Sequence, residues 1–187
     1  MATAMQMDHF DYRTIMSYDI NTGVIELNKP LQFYHWGRAR STADEYNGVD
    51  MRGEVVLLSR NVRVVGNDTD SWGGQILVSD NLEFSGVQRH GQMILDSVEV
   101  YNCSQRNTFM SAIRFENQAL NSSSVTNSAV HGGWAWAFSA QQAQDLFIHN
   151  NAFIGAYAVG AAIIASHNVT FTNNIVGHVG KRYWMSA

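Results

Sequence analysis

The side chains best suited to acid–base chemistry are concentrated near the start of the sequence. They are Asp44, Glu45, Asp50, Arg52, Glu54 and Arg60. Three of them, Arg52, Glu54 and Arg60, fit either a catalytic cluster or an ion-pair network that closes a terminal hairpin onto the first turn of the fold. We prefer the network, because alternating charges that flank a strand are commonly solvated ion pairs.

The second half of the chain has few groups for catalysis. Glycoside hydrolysis normally requires two carboxylates, and a lyase requires a base beside Arg or Lys. Between residues 109 and 179 the acidic residues are Glu116 and Asp145, which do not align with each other, and the only Arg or Lys is Arg114. No catalytic residue can therefore be assigned from the sequence.

Aromatic and imidazole side chains provide the other candidates for a site. Trp134, Trp136 and Tyr157 have rings that stack on sugars when they face outward, although core packing is the preferred interpretation for some of them. The histidines show no close paired spacing, and most lie by turns: His35, His90, His131, His149, His167 and His178. We therefore predict no metal and no cofactor.

Composition excludes several classes of function. The formal net charge of −4 and the absence of a basic cluster argue against nucleic-acid binding. No apolar run is long enough to span a membrane, and the first residues do not form a signal peptide. Cys103 is the only cysteine, so an internal disulfide framework is excluded.

The main signal is an internal repeat of about 23 residues. Four segments align without gaps around an asparagine, and each has an apolar residue two positions earlier, which is the alternation of a half-buried strand. The aligned residues, spaced 25, 23 and 23 apart, are Asn102, Asn127, Asn150 and Asn173. A second band aligns residues 109–113 with 134–138 and 157–161.

Each repeat holds at least two short strands and buries its apolar face only by stacking on its neighbours. We therefore predict an all-β fold, a right-handed parallel β-helix, with its rungs in residues 51–187. The stretch 155–166 is rich enough in alanine for a helix, but its alignment favours a strand. Segments 61–68 and 81–88 share a strand-then-glycine pattern and indicate less regular rungs.

Residues 1–50 form a different region. Two alternating segments flank Asn21-Thr22-Gly23, which predicts an antiparallel hairpin that caps one end of the β-helix. Unprotected strand edges at the ends of the rungs predict continuation into further domains or assembly with a partner.

The repeated asparagines favour a structural role over a catalytic one. Asparagine tolerates left-handed backbone, and amides stacked on successive rungs can bond to one another. We predict such a ladder through Asn102, Asn127, Asn150 and Asn173. Four Asn-x-Ser/Thr sequences also predict N-glycosylation, at Asn67, Asn102, Asn121 and Asn168. Asn102 is the weaker candidate, because an amide that takes part in the ladder cannot also carry a glycan.

Residues 49–68 resemble a stretch that opens the β-helix in the fibrocystin group of proteins. Gly53 and Val56 depart from the Ala and Gly of that group, and the matching residues are Arg52, Glu54, Val55, Leu57, Leu58, Ser59, Arg60 and Asn61. Residues 30–37 resemble the strand that follows the group's eight-glycine domain, and residues 150–179 resemble its β-helix repeats.

The resemblance implies a segment of a large cell-surface or secreted glycoprotein whose partners are extracellular proteins or glycans. One branch of the group is receptor-like or adhesive, and another contains hyaluronidases. The hyaluronidases carry a histidine-containing stretch where residues 111–117 offer Arg114, which argues against that activity. We predict a non-catalytic segment for adhesion, assembly or recognition; the alternatives are a polysaccharide-acting enzyme and a carbohydrate-binding module.

Overall fold

The structure, a computed structural model, describes residues 9–37, 52–67, 72–119 and 121–180. The chain divides into two compact units, Met1–Val56 and Leu57–Ala187. The domain boundary expected between residues 50 and 51 lies outside the described residues, as do Asp44, Glu45 and Asp50.

The first unit contains the predicted antiparallel hairpin. Strand β1 (Ile15–Tyr18) pairs with β2 (Ile25–Leu27). The turn between them is held by Asp19, whose carboxylate accepts hydrogen bonds from the Asn21 amide and the Thr22 hydroxyl. Gly23 closes the turn at a φ of 71°, in the left-handed region that glycine adopts without strain. Its predicted role as a cap of the β-helix stays a prediction.

The second unit is a parallel β-helix, as predicted, and its parallel strands form three sheets. The first sheet contains β7 (Ile94–Asp96), β10 (Ser123–Thr126), β13 (Gln144–His149) and β16 (His167–Thr172). The second contains β3 (Val62–Val65), β8 (Val98–Tyr101), β11 (Ala129–His131), β14 (Ala152–Ile154) and β17 (Ile175–Gly177). The third contains β4 (Ile76–Ser79), β9 (Ile113–Glu116), β12 (Trp136–Gln141) and β15 (Val159–Ile164).

Rung length is regular in the C-terminal part of the β-helix and longer before it. Ser123 pairs with Leu146, 23 residues later, and Leu146 pairs with Val169, again 23 later. Between β7 and β10 the offset is 30 residues, since Ile94 pairs with Ser124. The stretch 155–166 contributes β15, as its alignment predicted, and is not helical.

The core runs up the axis of the β-helix between the three sheets. Phe115, Phe138 and Phe153 are fully buried, and half-buried Phe171 packs against the cluster. Ring centroids are 6.0 Å apart for Phe115 and Phe138, 5.5 Å for Phe138 and Phe153, and 6.0 Å for Phe153 and Phe171. Rings from successive rungs therefore form one continuous aromatic stack, which couples each rung to the next.

The chain turns at three corners, and most of the turns use left-handed backbone. At the first corner, between the first and second sheets, Asn127, Asn150 and Asn173 have φ values of 51°, 57° and 54°. At the second corner, between the second and third sheets, the equivalent residues are Asn102, Gly132, Gly155 and His178. Asparagine and glycine recur there because they tolerate this conformation best.

An antiparallel hairpin interrupts the β-helix between β4 and β7. Strands β5 (Asn81–Leu82) and β6 (Gln88–Arg89) pair across a turn at Gly86, whose φ is 84°. Segment 81–88 is therefore not a rung, and the interpretation based on its strand-then-glycine pattern is wrong. Phe84 at the tip of this hairpin is fully exposed.

Candidate functional site

Three of the repeated asparagines hydrogen-bond to one another at the first corner. Asn150 Nδ2 donates to Asn127 Oδ1 at 2.7 Å, and Asn173 Nδ2 donates to Asn150 Oδ1 at 3.1 Å. Asn127 Nδ2 donates in turn to Asp96 Oδ1 at 2.7 Å. The hydrogen bonds from Asn127 and Thr126 hold the pKa of the Asp96 carboxyl below its ordinary value. This outer row of three amides therefore extends over three rungs and ends on a carboxylate of the rung before them.

Asn102 does not belong to this row, so the prediction that placed it there is wrong. It follows β8 in the second sheet and lies at the second corner, level with Gly132. The chain between β8 and β9 is longer than the one between β11 and β12. This extra length made the spacing from Asn102 to Asn127 resemble one rung, although the rung offset at β8 is 30 residues, from Val100 to Val130.

A second row of polar side chains lies directly inside the first and was missed at the sequence level. Asn151 is buried; its Oδ1 accepts from the Ser128 amide at 2.9 Å, and its Nδ2 donates to the Val125 carbonyl at 2.8 Å. Asn174 repeats this arrangement one rung later with the Asn151 amide and the Ile148 carbonyl. These bonds satisfy backbone amides and carbonyls that have no partner in the sheets because the chain turns at the corner. The Asn-Asn pairs at 150–151 and 173–174 are the signal that could have revealed it.

Arg60, which precedes β3, binds backbone carbonyls and a buried glutamate. Arg60 Nε donates to the Asn127 carbonyl at 2.8 Å, and its Nη1 donates to the carbonyls of Leu57 and Ser59. The Arg60 amide donates to Glu99 Oε2 at 3.2 Å. The structure thus ties Arg60 to the rungs through carbonyl oxygens.

Glu99 is the centre of this polar cluster, which we call the Glu99 network. It lies on the outer face of the second sheet but is only 3% exposed. Arg63 Nη2 donates to its Oε1 at 3.0 Å, Arg63 Nε lies 3.0 Å from its Oε2, and His131 Nε2 lies 3.1 Å from its Oε1. Burial of Glu99 opposes its ionisation, but the hydrogen bonds from Arg60, Arg63 and His131 outweigh burial and lower its pKa.

His131 is the titratable neighbour of Glu99. Burial lowers the pKa of His131 more than the Glu99 carboxylate raises it, so the imidazole is neutral near neutral pH. Its ring packs against Tyr101, with centroids 4.9 Å apart. Every hydrogen-bonding oxygen of Glu99 is therefore occupied, and the network serves structure better than proton transfer.

The second corner places an aromatic side chain on each of four stacked loops. The loops follow β3, β8, β11 and β14 and carry Trp72, Phe109, Trp134 and Tyr157, and residues 68–71 of the first loop lie outside the described residues. Trp136 begins the strand after the third loop. Backbone bonds hold neighbouring loops together: Gly73 N to Ser104 O, Trp134 N to Cys103 O and Ala158 N to Ala135 O. We call these five side chains the aromatic row.

The three predicted sugar-stacking residues all lie in this row and are half-buried. Trp134 and Tyr157 have centroids 6.3 Å apart with ring planes inclined by 29°. Trp136 meets Phe109 edge to face, with centroids 5.3 Å apart. Phe109 and Trp72 are 63% and 67% exposed, so part of the row faces solvent. The sequence indicated three of the five members and missed Phe109 and Trp72 as surface residues.

The predicted glycosylation residues differ in their surroundings. Asn67 and Asn168 are exposed, and Asn168 Nδ2 donates to Asp145 Oδ1. Asn121 is half-buried, with its Nδ2 3.3 Å from the His90 carbonyl. Asn102 is half-buried at the second corner, with its Oδ1 directed at Gly132.

Carboxylates of the described rungs are all engaged with other protein groups. Glu83 pairs with Arg89, Glu116 pairs with Arg114, and Asp145 accepts from Asn168. Asp80 accepts from the amides of Gly91 and Ala119 and lies 3.0 Å from His90 Nδ1. Although burial acts against ionisation, these bonds lower the pKa of Asp80. In residues 9–37, 52–67, 72–119 and 121–180, no group of three or more His, Cys, Asp or Glu is placed to hold a metal ion.

Comparison with known proteins identifies the family. A family profile described as "Right handed beta helix region" matches residues 68–182. The chain belongs to the right-handed β-helix family. No solved structure gives a significant match. The described residues contain no helix that is long and apolar enough to cross a membrane.

Similar proteins occur in Dictyostelium discoideum. Protein rliB is 40% identical over 67 residues, which are 34% of this chain and 5% of rliB. A G8 domain-containing protein is 40% identical over 78 residues, covering 37% of this chain and 5% of that protein. A third protein is 24% identical over 182 residues, covering 85% of this chain and 15% of that protein. The chain thus spans between one twentieth and one sixth of the length of these relatives, and two of its relatives have a G8 domain in their names.

Proposed function

We propose that this chain is a non-catalytic β-helix segment of a fibrocystin-like cell-surface or secreted glycoprotein, and that it presents a rigid surface for recognition. The relatives support a place within a much larger protein, because each is many times longer than the matched stretch. The G8 domain-containing relatives support a β-helix of the kind that accompanies such domains.

The observation that carries the proposal is the state of the carboxylates in the described rungs. A glycosidase requires one carboxylic acid with a raised pKa and a second carboxylate free to attack or to activate water. Here the pKa values of Asp80, Asp96 and Glu99 are shifted downwards, and the hydrogen bonds responsible occupy their oxygens. Groups arranged in this way stabilise a surface and are poorly suited to transfer protons.

Rigidity supports the same function. The aromatic stack of the core, from Phe115 to Phe171, and the two amide rows at the first corner fix each of these rungs to the next. A surface whose side chains are already fixed loses little entropy when it binds, which favours recognition.

Hyaluronan digestion tests the absence of catalysis. The full-length protein is incubated with hyaluronan of defined length, with and without calcium, and the products are separated by size. We expect no shortening of the polymer. Cleavage that disappears in Arg52→Ala or Glu54→Gln, while Glu83→Gln remains active, would overturn the proposal and assign a catalytic role to the residue replaced.

Surface labelling tests the location. Intact cells that express the full-length protein are treated with a membrane-impermeant biotin reagent, and the captured protein is then treated with peptide-N-glycosidase. We expect labelling and a mobility shift that decreases in Asn168→Gln. A protein that is labelled only after lysis contradicts the cell-surface location, and its absence from the medium contradicts secretion.

A further inference from the structure

The hydrogen bonds of the two amide rows at the first corner all run in one direction along the β-helix. In the outer row each carboxamide Nδ2 donates to the rung before it, and the row ends on the carboxylate of Asp96, which has no N–H group to pass on. In the inner row Asn151 and Asn174 likewise bind an amide and a carbonyl of the preceding rung. These rungs are therefore completed at this corner by the asparagines of the rung that follows.

Strand β16 is the last strand of the first sheet in the described part of the chain, and it keeps the groups that a following rung would bind. Asn173 Oδ1 is equivalent to Asn150 Oδ1, which accepts from the next rung. The Asn174 amide is equivalent to the Asn151 amide, which donates to the next rung. Among the described residues, none donates to Asn173 Oδ1 and none accepts from the Asn174 amide.

The apolar core is also open at this end. Ala140 and Phe153 are fully buried, and the residues that pair with them one rung later are Ile163 and Val176. Ile163 and Val176 are 43% and 45% exposed. Core positions that the next rung covers elsewhere are uncovered here, and their burial by a neighbour would stabilise the end of the stack.

This end of the β-helix contains no charged side chain other than histidine. The sequence has no Asp, Glu, Lys or Arg between Leu146 and Gly180, and its single proline is Pro30. Natural proteins usually protect an exposed strand edge with charged side chains, especially lysine, or with proline. An apolar edge without these devices is suited to a lasting contact with an uncharged neighbour, because it offers a charged partner no group for an ion pair.

A second copy of this chain does not provide the missing groups. Its opposite end carries Ser97 and Val98 at the equivalent positions, and a valine side chain offers the Asn174 amide no acceptor. Two identical ends placed face to face would set the Asn174 amide against the same amide, donor against donor. A rung with two consecutive asparagines provides both a donor for Asn173 Oδ1 and an acceptor for the Asn174 amide.

We propose that the end of the β-helix formed by β15, β16 and β17 binds a further rung from another segment of the full-length protein, and that this rung carries two consecutive asparagines at the first corner. The inference rests on the proposed function, in which this chain is one segment of a larger protein. The first of the two asparagines donates to Asn173 Oδ1. The second accepts from the Asn174 amide and donates to the Phe171 carbonyl, which is equivalent to the Ile148 carbonyl one rung earlier.

Site-specific photo-crosslinking in the full-length protein identifies the neighbour of this end. The photoreactive residue p-benzoylphenylalanine replaces Val176 or Ile163 in separate variants, and the cross-linked peptides are sequenced by mass spectrometry. The control variant carries it in place of Phe147, which is 45% exposed but lies on the outer face of β13. We expect both end variants, and not the control, to link within one molecule to a segment that contains two consecutive asparagines.

Hydrogen exchange of the unmodified full-length protein gives a second measurement, which needs no variant. A docked rung gives β16 a neighbour on each side, as β13 already has. We therefore expect the amides of β16 to exchange within about tenfold of the rate in β13. An uncovered β16 would exchange much faster, because the last strand of a stack opens without disturbing the strands behind it.

Four results would overturn the inference: cross-links between two molecules, cross-links to a segment without paired asparagines, no cross-link at either end position, and exchange in β16 that is much faster than in β13. Each of them leaves the recognition function standing with a different neighbour, or none, at this end. Cleavage of hyaluronan in the digestion experiment, or labelling only after lysis, would instead overturn the proposed function, so the two failures are distinguishable.

Discussion

At the scale of single residues, the first corner separates two kinds of asparagine. The outer row, Asn127, Asn150 and Asn173, has left-handed backbone and bonds to neighbouring amides near solvent. The inner row satisfies backbone amides and carbonyls that are buried at Asn151 and partly buried at Asn174. A buried polar group left without its partner costs far more than a lost bond at the surface. We therefore expect the inner row to contribute most of the stability of the corner.

Replacement of one asparagine from each row measures this difference. Asn151→Ala leaves the Ser128 amide and the Val125 carbonyl unpaired in the core, and we expect a loss of about 3 kcal/mol in the free energy of unfolding. Asn150→Gly removes an outer amide while keeping the left-handed conformation accessible, and we expect a loss of about 1 kcal/mol or less. Urea unfolding with linear extrapolation gives both values. Equal losses would contradict the division into two rows.

The Glu99 network predicts a pH dependence of stability. In the folded chain the pKa of the Glu99 carboxyl lies below its ordinary value of 4.5, so the unfolded chain binds the proton more readily. The stabilisation is therefore complete above the unfolded pKa and disappears as the pH falls through the folded pKa. We expect Glu99→Gln to lower stability at neutral pH and to flatten its decline below about pH 4.5, as measured by thermal unfolding across the acid range. Glu83→Gln is the control, since its exposed ion pair with Arg89 contributes little.

At the scale of elements, the sequence predicted the rungs wherever their length is constant. Alignment around Asn127, Asn150 and Asn173 matches the observed register, because the paired strands of successive rungs differ only by the 23-residue period. The band at 134–138 and 157–161 also matches, since Trp136 pairs with Val159 and Phe138 with Ala161. The prediction failed where a longer loop changes the number of residues per rung, as at Asn102. Strand periodicity does not distinguish a rung from the hairpin at 81–89. Contacts such as that of Arg63 with Glu99 join residues 36 positions apart, so the 23-residue repeat does not predict them.

Glycines at the second corner permit the close approach of loops from adjacent rungs. A Cβ added at Gly73 would lie 2.1 Å from the Asn102 carbonyl oxygen and 2.6 Å from the Cys103 Cα, both of which belong to backbone. Gly73→Ala must therefore displace one loop, and we expect a loss of about 1–3 kcal/mol in the free energy of unfolding. Gly37→Ala is the control, because a Cβ there meets nothing within 4 Å. An unchanged free energy of unfolding in Gly73→Ala would show that the two loops are farther apart in solution.

At the scale of the whole molecule, each rung contacts only its neighbours, so stability should vary along the axis. Phe138 lies at the centre of the core, against Phe115, Phe153 and Phe171. Strands β15, β16 and β17 have no further strand beyond them in the described sheets, and Ile163, Ile164 and Val176 are more than 40% exposed. In such a stack the last rung opens at a lower free energy than the centre.

Native-state hydrogen exchange tests this gradient with two phenylalanine variants. Phe138→Ala removes a fully buried ring, and we expect a loss of about 3–5 kcal/mol shared by all rungs, because the global unfolding reaction is affected. Phe171→Ala removes a ring from the last rung, and we expect faster exchange in β15–β17 with unchanged protection in β9 and β12. Phe147→Ala, on the outer face of β13, should alter neither. Uniform loss of protection in Phe171→Ala would mean that the rungs unfold as a single cooperative unit, in which case coupling through the aromatic stack exceeds the stability of any one rung.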